Sequence, residues 1–482
     1  MALFMLPIDD LMYKDFLVVR ARLSMKRVQW CGVVAVALWL AACGEGSVQH
    51  SATMAARQMT DAVPTSTVVG ESRVVVAVID SAINPYHEAL YAGGSLYPGT
   101  VPSAVTPAVL AEFGIDASHI LTLTRTGNFA ADVAADAAQW RSVKRGERYW
   151  VRGTNLILVS FDDAGLPRLQ PTADKDPHGV GTSSAVLAAA PQSVLLFVEG
   201  TTPDAEAFAF THPAVDIVST SYGTPGSIPL ASQPLAQSLE GVLTQGKLHV
   251  GAADNSPALA TFDGTAGPWW SVGIAGLDTD SQGRELVSGT FPDFLAAFTQ
   301  TLPYCTDCEA GLETVSGTSF ATPQAAGVAA SILLQTRAQL GHVGGIVTGA
   351  QGPLMVRSGG REISVWQLRR ALEQAAAQPA TTDYQPGSPT SVPILPALPA
   401  LQTGWGVLVP DAASGVIAHG VAVLTGAQVA DTTPAGTCDV QTGLMQLRRH
   451  YWDRLNPLSP SFMNSPASFP VIACGSPFEQ LP

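Results

Sequence analysis

Charge is what this 482-residue sequence has least of: 13% of its residues are Asp, Glu, Lys or Arg, against a usual share of about 25%. The charge present leans acidic, with 25 Lys and Arg against 39 Asp and Glu, a net −14. That leaves no basic footprint, and nucleic acid is excluded as a partner class. Long apolar runs are missing as well. The run from Trp30 to Leu40 is too short to span a bilayer comfortably, which argues against a retained transmembrane helix. No internal repeat occurs, and cysteines number only six.

What is present is concentrated in Ser316-Gly317-Thr318-Ser319-Phe320-Ala321-Thr322-Pro323, directly before an apolar, alanine-rich run from Ala325 to Leu334. The run predicts a buried helix, and Pro323 suits a first turn, where a missing N–H costs nothing. A serine at such a helix start has unpaired backbone N–H groups and the positive end of the dipole beside it, which favours a developing oxyanion. An ordinary N-cap serine has the same local pattern, so partners elsewhere decide.

A hydroxyl needs a base, and the base needs an orienting group. Val74 to Ile79 is a mostly β-branched run ending in Asp80-Ser81. It reads as a central parallel strand delivering a carboxylate to its C-terminal edge, where α/β sites form. Asp176-Pro177-His178-Gly179-Val180-Gly181-Thr182 leads into a small-residue helix from Ser183 to Ala190, which puts a histidine at a helix entrance.

With the order Asp80, His178, Ser319, the chain resembles the subtilisin-like serine peptidases, or subtilases. The family's Gly-Thr-Ser-x-Ala-x-Pro is matched in full from Gly317 to Pro323. Two blocks depart from the usual pattern: Asp80-Ser81-Ala82 has alanine where glycine is usual, and His178-Gly179-Val180 has valine where threonine is usual. If Ala82 takes a positive φ, the change costs about 1 kcal/mol. His249 to Asn255 resembles the segment carrying the oxyanion-hole asparagine, so the resemblance implies an oxyanion hole of Asn255 and the Ser319 backbone N–H. It also implies substrate binding along Ser221, Tyr222 and Gly223 by strand augmentation, with Ala252, Ala253 and Asp254 beside the primary specificity pocket. Asp254 stands where the family has glycine, and it either biases the pocket towards basic side chains or narrows it. Gly404-Trp405-Gly406-Val407 and Pro410 to Ala413 resemble the family's closing turn and final short helix.

The resemblance implies a three-layer α/β fold, a central and mostly parallel sheet covered by helices on both faces. Strands are expected at Val74–Ile79, Ser193–Val198, Asp216–Thr220, Leu248–Ala252 and Trp270–Ala275, with a helix over Ala130–Val143 in a long insertion. Five prolines between Gln385 and Pro399 exclude one regular helix there. No cofactor is implied; calcium is admitted by the family, but the sequence identifies no ligands for it. Many relatives carry an N-terminal prosegment domain, for which Cys43 to Val74 offers no room.

Lys26 and Arg27, the Trp30–Leu40 run and Leu40-Ala41-Ala42-Cys43 read as a bacterial signal peptide ending in a lipobox, with Cys43 acylated. Asp9, Asp10 and Asp15 are unusual in such a leader, so translation is expected to start at Met25. Gly44 after the cysteine favours the outer membrane where the cell has one. Cys305 and Cys308 are close enough for a short disulfide loop, and Cys438 and Cys474 could staple the tail. No second Cys/His pair of ligand spacing follows, so zinc is not expected. The domains read as 1–43 upstream extension and leader, 44–72 tether, 73–415 peptidase domain and 416–482 C-terminal extension.

The function expected is therefore a lipid-anchored serine endopeptidase acting on proteins or peptides, with an inactive binding lipoprotein of the same fold as the alternative. The acid-acting serine carboxyl peptidases would need a glutamate as base and an aspartate at the oxyanion position; His178 and Asn255 count against them.

Overall fold

The computed structural model describes residues 72–97, 104–163, 167–223, 233–255, 265–268, 270–279, 285–289, 292–377, 385–386 and 404–427. The leader with Cys43, the tether to residue 71, Cys438, Cys474 and most of the proline-rich stretch lie outside these residues. Among the described residues, no helix is long and apolar enough to cross a membrane.

The main sheet contains β1 (Val75–Asp80), β2 (Ile120–Leu121), β3 (Arg148–Val151), β4 (Leu156–Ser160), β5 (Val194–Glu199), β6 (Ile217–Thr220), β7 (Leu248–Ala252), β8 (Val272–Thr279), β9 (Glu285–Ser288) and β10 (Phe294–Ala297). They line up as β9-β8-β7-β6-β1-β5-β4-β3-β2, with β10 also on β8 and Gln385–Pro386 beyond β9. Pairings are parallel except β3 with β4 and β8 with β9. Chain order reverses at β1, which has β5 on one side and β6 on the other. A crevice beyond the C-terminal ends of the strands is the usual ligand site at such a reversal.

Successive side chains of a strand point to opposite faces, and here both faces are apolar. Val76 and Val78, with Leu158 and Phe197, join a core with Val186, Ala325, Val328 and Ile332. Val75, Ala77 and Ile79, with Val159 and Leu196, join a second core with Val109, Ala205 and Phe210. The helices that supply these partners are α1 (Pro107–Glu112), α4 (His178–Ala189), α5 (Pro203–Thr211) and α7 (Thr318–Leu340). Between them in sequence lie α2 (Phe129–Ala135), α3 (Ala137–Ser142) and α6 (Gln233–Leu243). The result is the three-layer arrangement expected. Small residues let α4 and α7 approach closely: a Cβ at Gly327 would lie 2.7 Å from both the Ala189 Cβ and the Val186 carbonyl.

Two helices start earlier than the apolar patterning indicated. α4 begins at His178 and α7 at Thr318, because both entrances are polar or small and carry no hydrophobic period. The helix expected over Ala130–Val143 is two helices meeting at Asp136. The Asp136 carboxylate bonds Tyr86, Thr124 and Gln139, which ties the break to the neighbouring chain. Past residue 415, α9 (Val416–Thr425) joins α8 (Val365–Ala375) in the first core, through Val416 and Val421 on the one and Leu368 and Leu372 on the other. The core thus continues beyond the boundary read at 415.

Candidate active site

Asp80 ends β1, and its carboxylate is buried. Four groups donate to it. Oδ1 accepts from the Ser81 N–H at 2.7 Å and the Ser81 hydroxyl at 3.1 Å. Oδ2 accepts from the Thr182 hydroxyl at 2.9 Å. The His178 Nδ1 lies 2.9 Å from Oδ1 and 3.0 Å from Oδ2. Such a set holds the carboxylate in one orientation at the strand edge. Ala82 introduces no backbone strain: Leu169 is the one non-glycine residue with positive φ among those described, so the substitution in the Asp-Ser-Ala block carries no left-handed penalty. The glycine that matters sits across from it. A Cβ on Gly179 would stand 2.2 Å from the Ala82 carbonyl oxygen, so only glycine lets the histidine helix approach β1 this closely.

His178 is the first residue of α4, and its N–H donates to the Asp176 side chain at 3.0 Å. The preceding turn is anchored by Lys175, which pairs with the buried Glu199 at the end of β5 at 2.5 Å. Burial pushes the imidazole down, but the hydrogen bond and charge of Asp80 and the charge of Asp176 outweigh it, leaving His178 above its ordinary value. Since Nδ1 faces an acceptor-only carboxylate, it carries the proton, and the neutral ring has its lone pair on Nε2.

Ser319 is the second residue of α7 and has no intrahelical acceptor for its N–H. Its hydroxyl donates to the Ser221 carbonyl at 3.2 Å, and it makes no hydrogen bond with His178. The rings of His178 and the adjacent Phe320 lie with centroids 5.6 Å apart. Pro323 falls in the helix past its first turn, a correction to the position read from sequence. The reason it is tolerated is visible one turn earlier. A helical residue 323 would donate to the Ser319 carbonyl, and proline has no N–H to give. The Ser221 hydroxyl fills that place at 2.8 Å. Ser221 and Ser319 therefore exchange two hydrogen bonds across the cleft.

Asn255 follows β7. Its Oδ1 accepts from the Thr318 N–H at 2.8 Å and from the Thr318 hydroxyl at 2.9 Å. Because a backbone N–H can only donate, the oxygen is identified by its partners, and the side-chain NH₂ is the end turned away from Thr318. Ala252 and Ala253 are buried and Asp254 half-buried.

Beyond β6, the Tyr222 hydroxyl donates to Glu206 Oε1 of α5 at 2.8 Å. Burial pushes the Glu206 carboxyl up to about 7, against the lowering effect of that bond, and its Oε2 is buried without a hydrogen-bond partner. Cys305 and Cys308 form a disulfide, with Cα atoms 5.8 Å apart. The Asn84 amide donates to the Cys305 and Cys308 carbonyls at 3.0 and 2.6 Å, binding this loop to the segment just after Asp80.

Sequence reasoning left four contributors unassigned: Thr182, Thr318, Glu206 and Asn84. Thr182 lies four residues after His178, on the same helix face, a spacing that could have identified it. Thr318 stands inside the Gly317–Pro323 block, though its bond to Asn255 does not show there; Glu206 and Asn84 leave no local signal.

No curated protein matches the chain in sequence. A solved structure described as "Structure of Prenylagaramide maturation protease PagA" aligns at 15% identity and a TM-score of 0.40, covering 75% of this chain and 96% of that one. The family model described as "Subtilase family" matches residues 71–387, a span that holds Asp80, His178, Asn255 and Ser319. The chain belongs to the subtilase family.

Proposed function

We propose that this subtilase is a serine endopeptidase that works through Asp80, His178 and Ser319 and an acyl-enzyme intermediate. The observation that carries the proposal is the Asp80–His178 pair, set at the same sheet edge as a serine at a helix start. Asp80 holds the proton on Nδ1 and stabilises the imidazolium that forms; Nε2 takes the proton of Ser319. For this the Ser319 side chain turns from the Ser221 carbonyl towards His178 and attacks the scissile carbonyl; catalytic hydrogen bonds often tighten only with substrate bound. The Asn255 NH₂ and the Ser319 N–H receive the oxyanion. His178 then protonates the leaving amine and activates the water that releases the acyl group. An extended substrate pairs with the backbone from Ser221 to Gly223.

A binding protein without activity is the second reading, favoured by the Ser319 hydroxyl resting on Ser221. A fluorophosphonate probe separates the two, because labelling needs an activated serine. Stoichiometric labelling mapped to Ser319 is expected, and a folded chain that resists the probe would support the binding reading. We also propose that the chain is exported and anchored to the cell envelope through acylated Cys43, on the strength of the Leu40-Ala41-Ala42-Cys43 sequence. Cys43→Ser is expected to abolish lipid labelling and membrane partitioning; an exported peptide running unmodified through Cys43 would refute the anchor.

A further inference from the structure

The Cys305–Cys308 loop lies beside a histidine whose side chain has no part in the reaction proposed above. His87 follows the turn after β1, is 1% exposed, and is 218 residues from Cys305 in sequence. Its Nδ1 accepts from the Ala89 N–H at 3.2 Å, and its Nε2 lies 2.9 Å from the Gly311 carbonyl. Nδ1 therefore holds the lone pair and Nε2 the proton. One ring nitrogen of His87 and the two sulfurs lie within 4.8 Å of one another. The backbone on both sides is fixed independently of the sulfurs. Asn84 bonds the carbonyls of both cysteines, the Glu88 N–H donates to Glu309 at 2.7 Å, and the Thr306 hydroxyl donates to Lys175 at 3.2 Å.

We propose that, with the disulfide reduced, Cys305, Cys308 and His87 form a binding site for zinc or a divalent cation of similar softness. Two thiolates and an imidazole suit zinc and disfavour calcium or magnesium, which take oxygen ligands. Coordination exchanges one of the two ring hydrogen bonds for the metal and keeps the other, a backbone partner of the kind that orients a ligating histidine. Three protein ligands leave a fourth position for water. Two molecules of a small-molecule thiol, or one dithiol reductase, supply two electrons and two protons, are oxidised to a disulfide, and leave Cys305 and Cys308 as thiols. The cation then displaces both thiol protons to solvent. Disulfide and metal are alternative closures of one loop, so the wall beside Asn84 stays cross-linked in oxidising and reducing surroundings.

The test uses the full chain, reduced with a phosphine, freed of reductant without air and titrated with Co²⁺. One equivalent is expected to bind with a thiolate-to-metal charge-transfer band, and zinc is expected to displace it. The unreduced chain and a Cys305→Ser, Cys308→Ser double variant should show no band. His87→Gln should weaken binding by more than the roughly 10–100-fold that loss of an outer hydrogen-bond partner costs. X-ray absorption of the zinc-loaded wild type gives a readout independent of any variant's folding: two sulfurs and at least one imidazole nitrogen are expected. A reduced wild type that binds cobalt no better than the double variant overturns the proposal, as does a coordination shell lacking either the sulfurs or the imidazole.

Discussion

Two buried carboxylates flank β1, one at each end, and they are paired in opposite ways. Asp216, at the entrance to β6, accepts from the Val75 N–H where β1 begins. It is held bidentately by Arg337, and both side chains are fully buried. Arg337 also donates to the carbonyls of Arg73 and Met355. Asp80, where β1 ends, is paired with His178, whose side chain keeps 25% of its exposure. A guanidinium stays charged at any accessible pH, whereas an imidazole gains and loses its proton near neutrality. The permanent pair is sealed from water and ties β1 to α7. The switchable one is partly open to water. The same helix serves both, with Ser319 at its start and Arg337 about 27 Å further along its axis. Burial of a carboxylate is thus no mark of function by itself; the titration of its partner is.

The contrast can be broken most sharply at Ser319. Ser319→Ala is expected to lower kcat by about 10⁶ while leaving the thermal midpoint within experimental scatter; peptide hydrolysis and calorimetry measure the two. A variant that still cleaves peptides would show that another nucleophile acts.

Removing the permanent charge should do the reverse. Arg337→Leu leaves Asp216 buried and unpaired, a change that costs about 3–5 kcal/mol in comparable pairs. Denaturant titration should show that loss, while the molecules that remain folded keep their kcat. A variant as stable as wild type would mean that the Asp216 charge is satisfied without its guanidinium.

Asn255→Ala sharpens the functional end, because in the mechanism we propose it removes a donor used only when the oxyanion forms. A fall in kcat of about 10²–10³ is expected, with KM little changed. An equal rise in KM at constant kcat would place Asn255 in substrate binding instead.

The smallest effect concerns a third buried carboxylate, one that has no cationic partner. Glu206 has its folded-state value raised to about 7 by burial. Its neutral form is therefore favoured on folding, a contribution present in full below the ordinary carboxyl range and lost as pH rises through about 7. Glu206→Gln keeps an acceptor for Tyr222 and cannot ionise. Compared with wild type, it should gain on the order of 1–3 kcal/mol of relative stability between pH 5 and pH 8. Parallel stability curves for the two proteins would show that Glu206 titrates normally.

The central strands were legible because burial on both faces writes a continuous apolar run. The run Val74–Ile79 predicts a strand that the structure has at Val75–Asp80, and the strand expected at Leu248–Ala252 has those bounds. The chemistry-bearing residues were legible where a local block surrounds them, as at Gly317 to Pro323. What stayed hidden were relations rather than residues. That Ser221 supplies the donor Pro323 lacks and that His87 meets Cys305 depend on how distant segments come together. Neither contact has a period or a motif. The same limit explains the misplaced helix starts: an entrance built of Gly, Thr and Ser has no apolar repeat to mark it.

The clamp of Thr318 on Asn255 has a consequence for alignment. Thr318 and Ser319 are consecutive, so the amide of Asn255, three residues past β7, is referenced also to the residue beside the proposed nucleophile. When α7 shifts as a body, the amide and the hydroxyl travel together, and their separation is conserved to first order. Thermal displacement of the helix then becomes a correlated error, which leaves the angle of attack intact, and fraying of its first turn is the motion to which the site is sensitive.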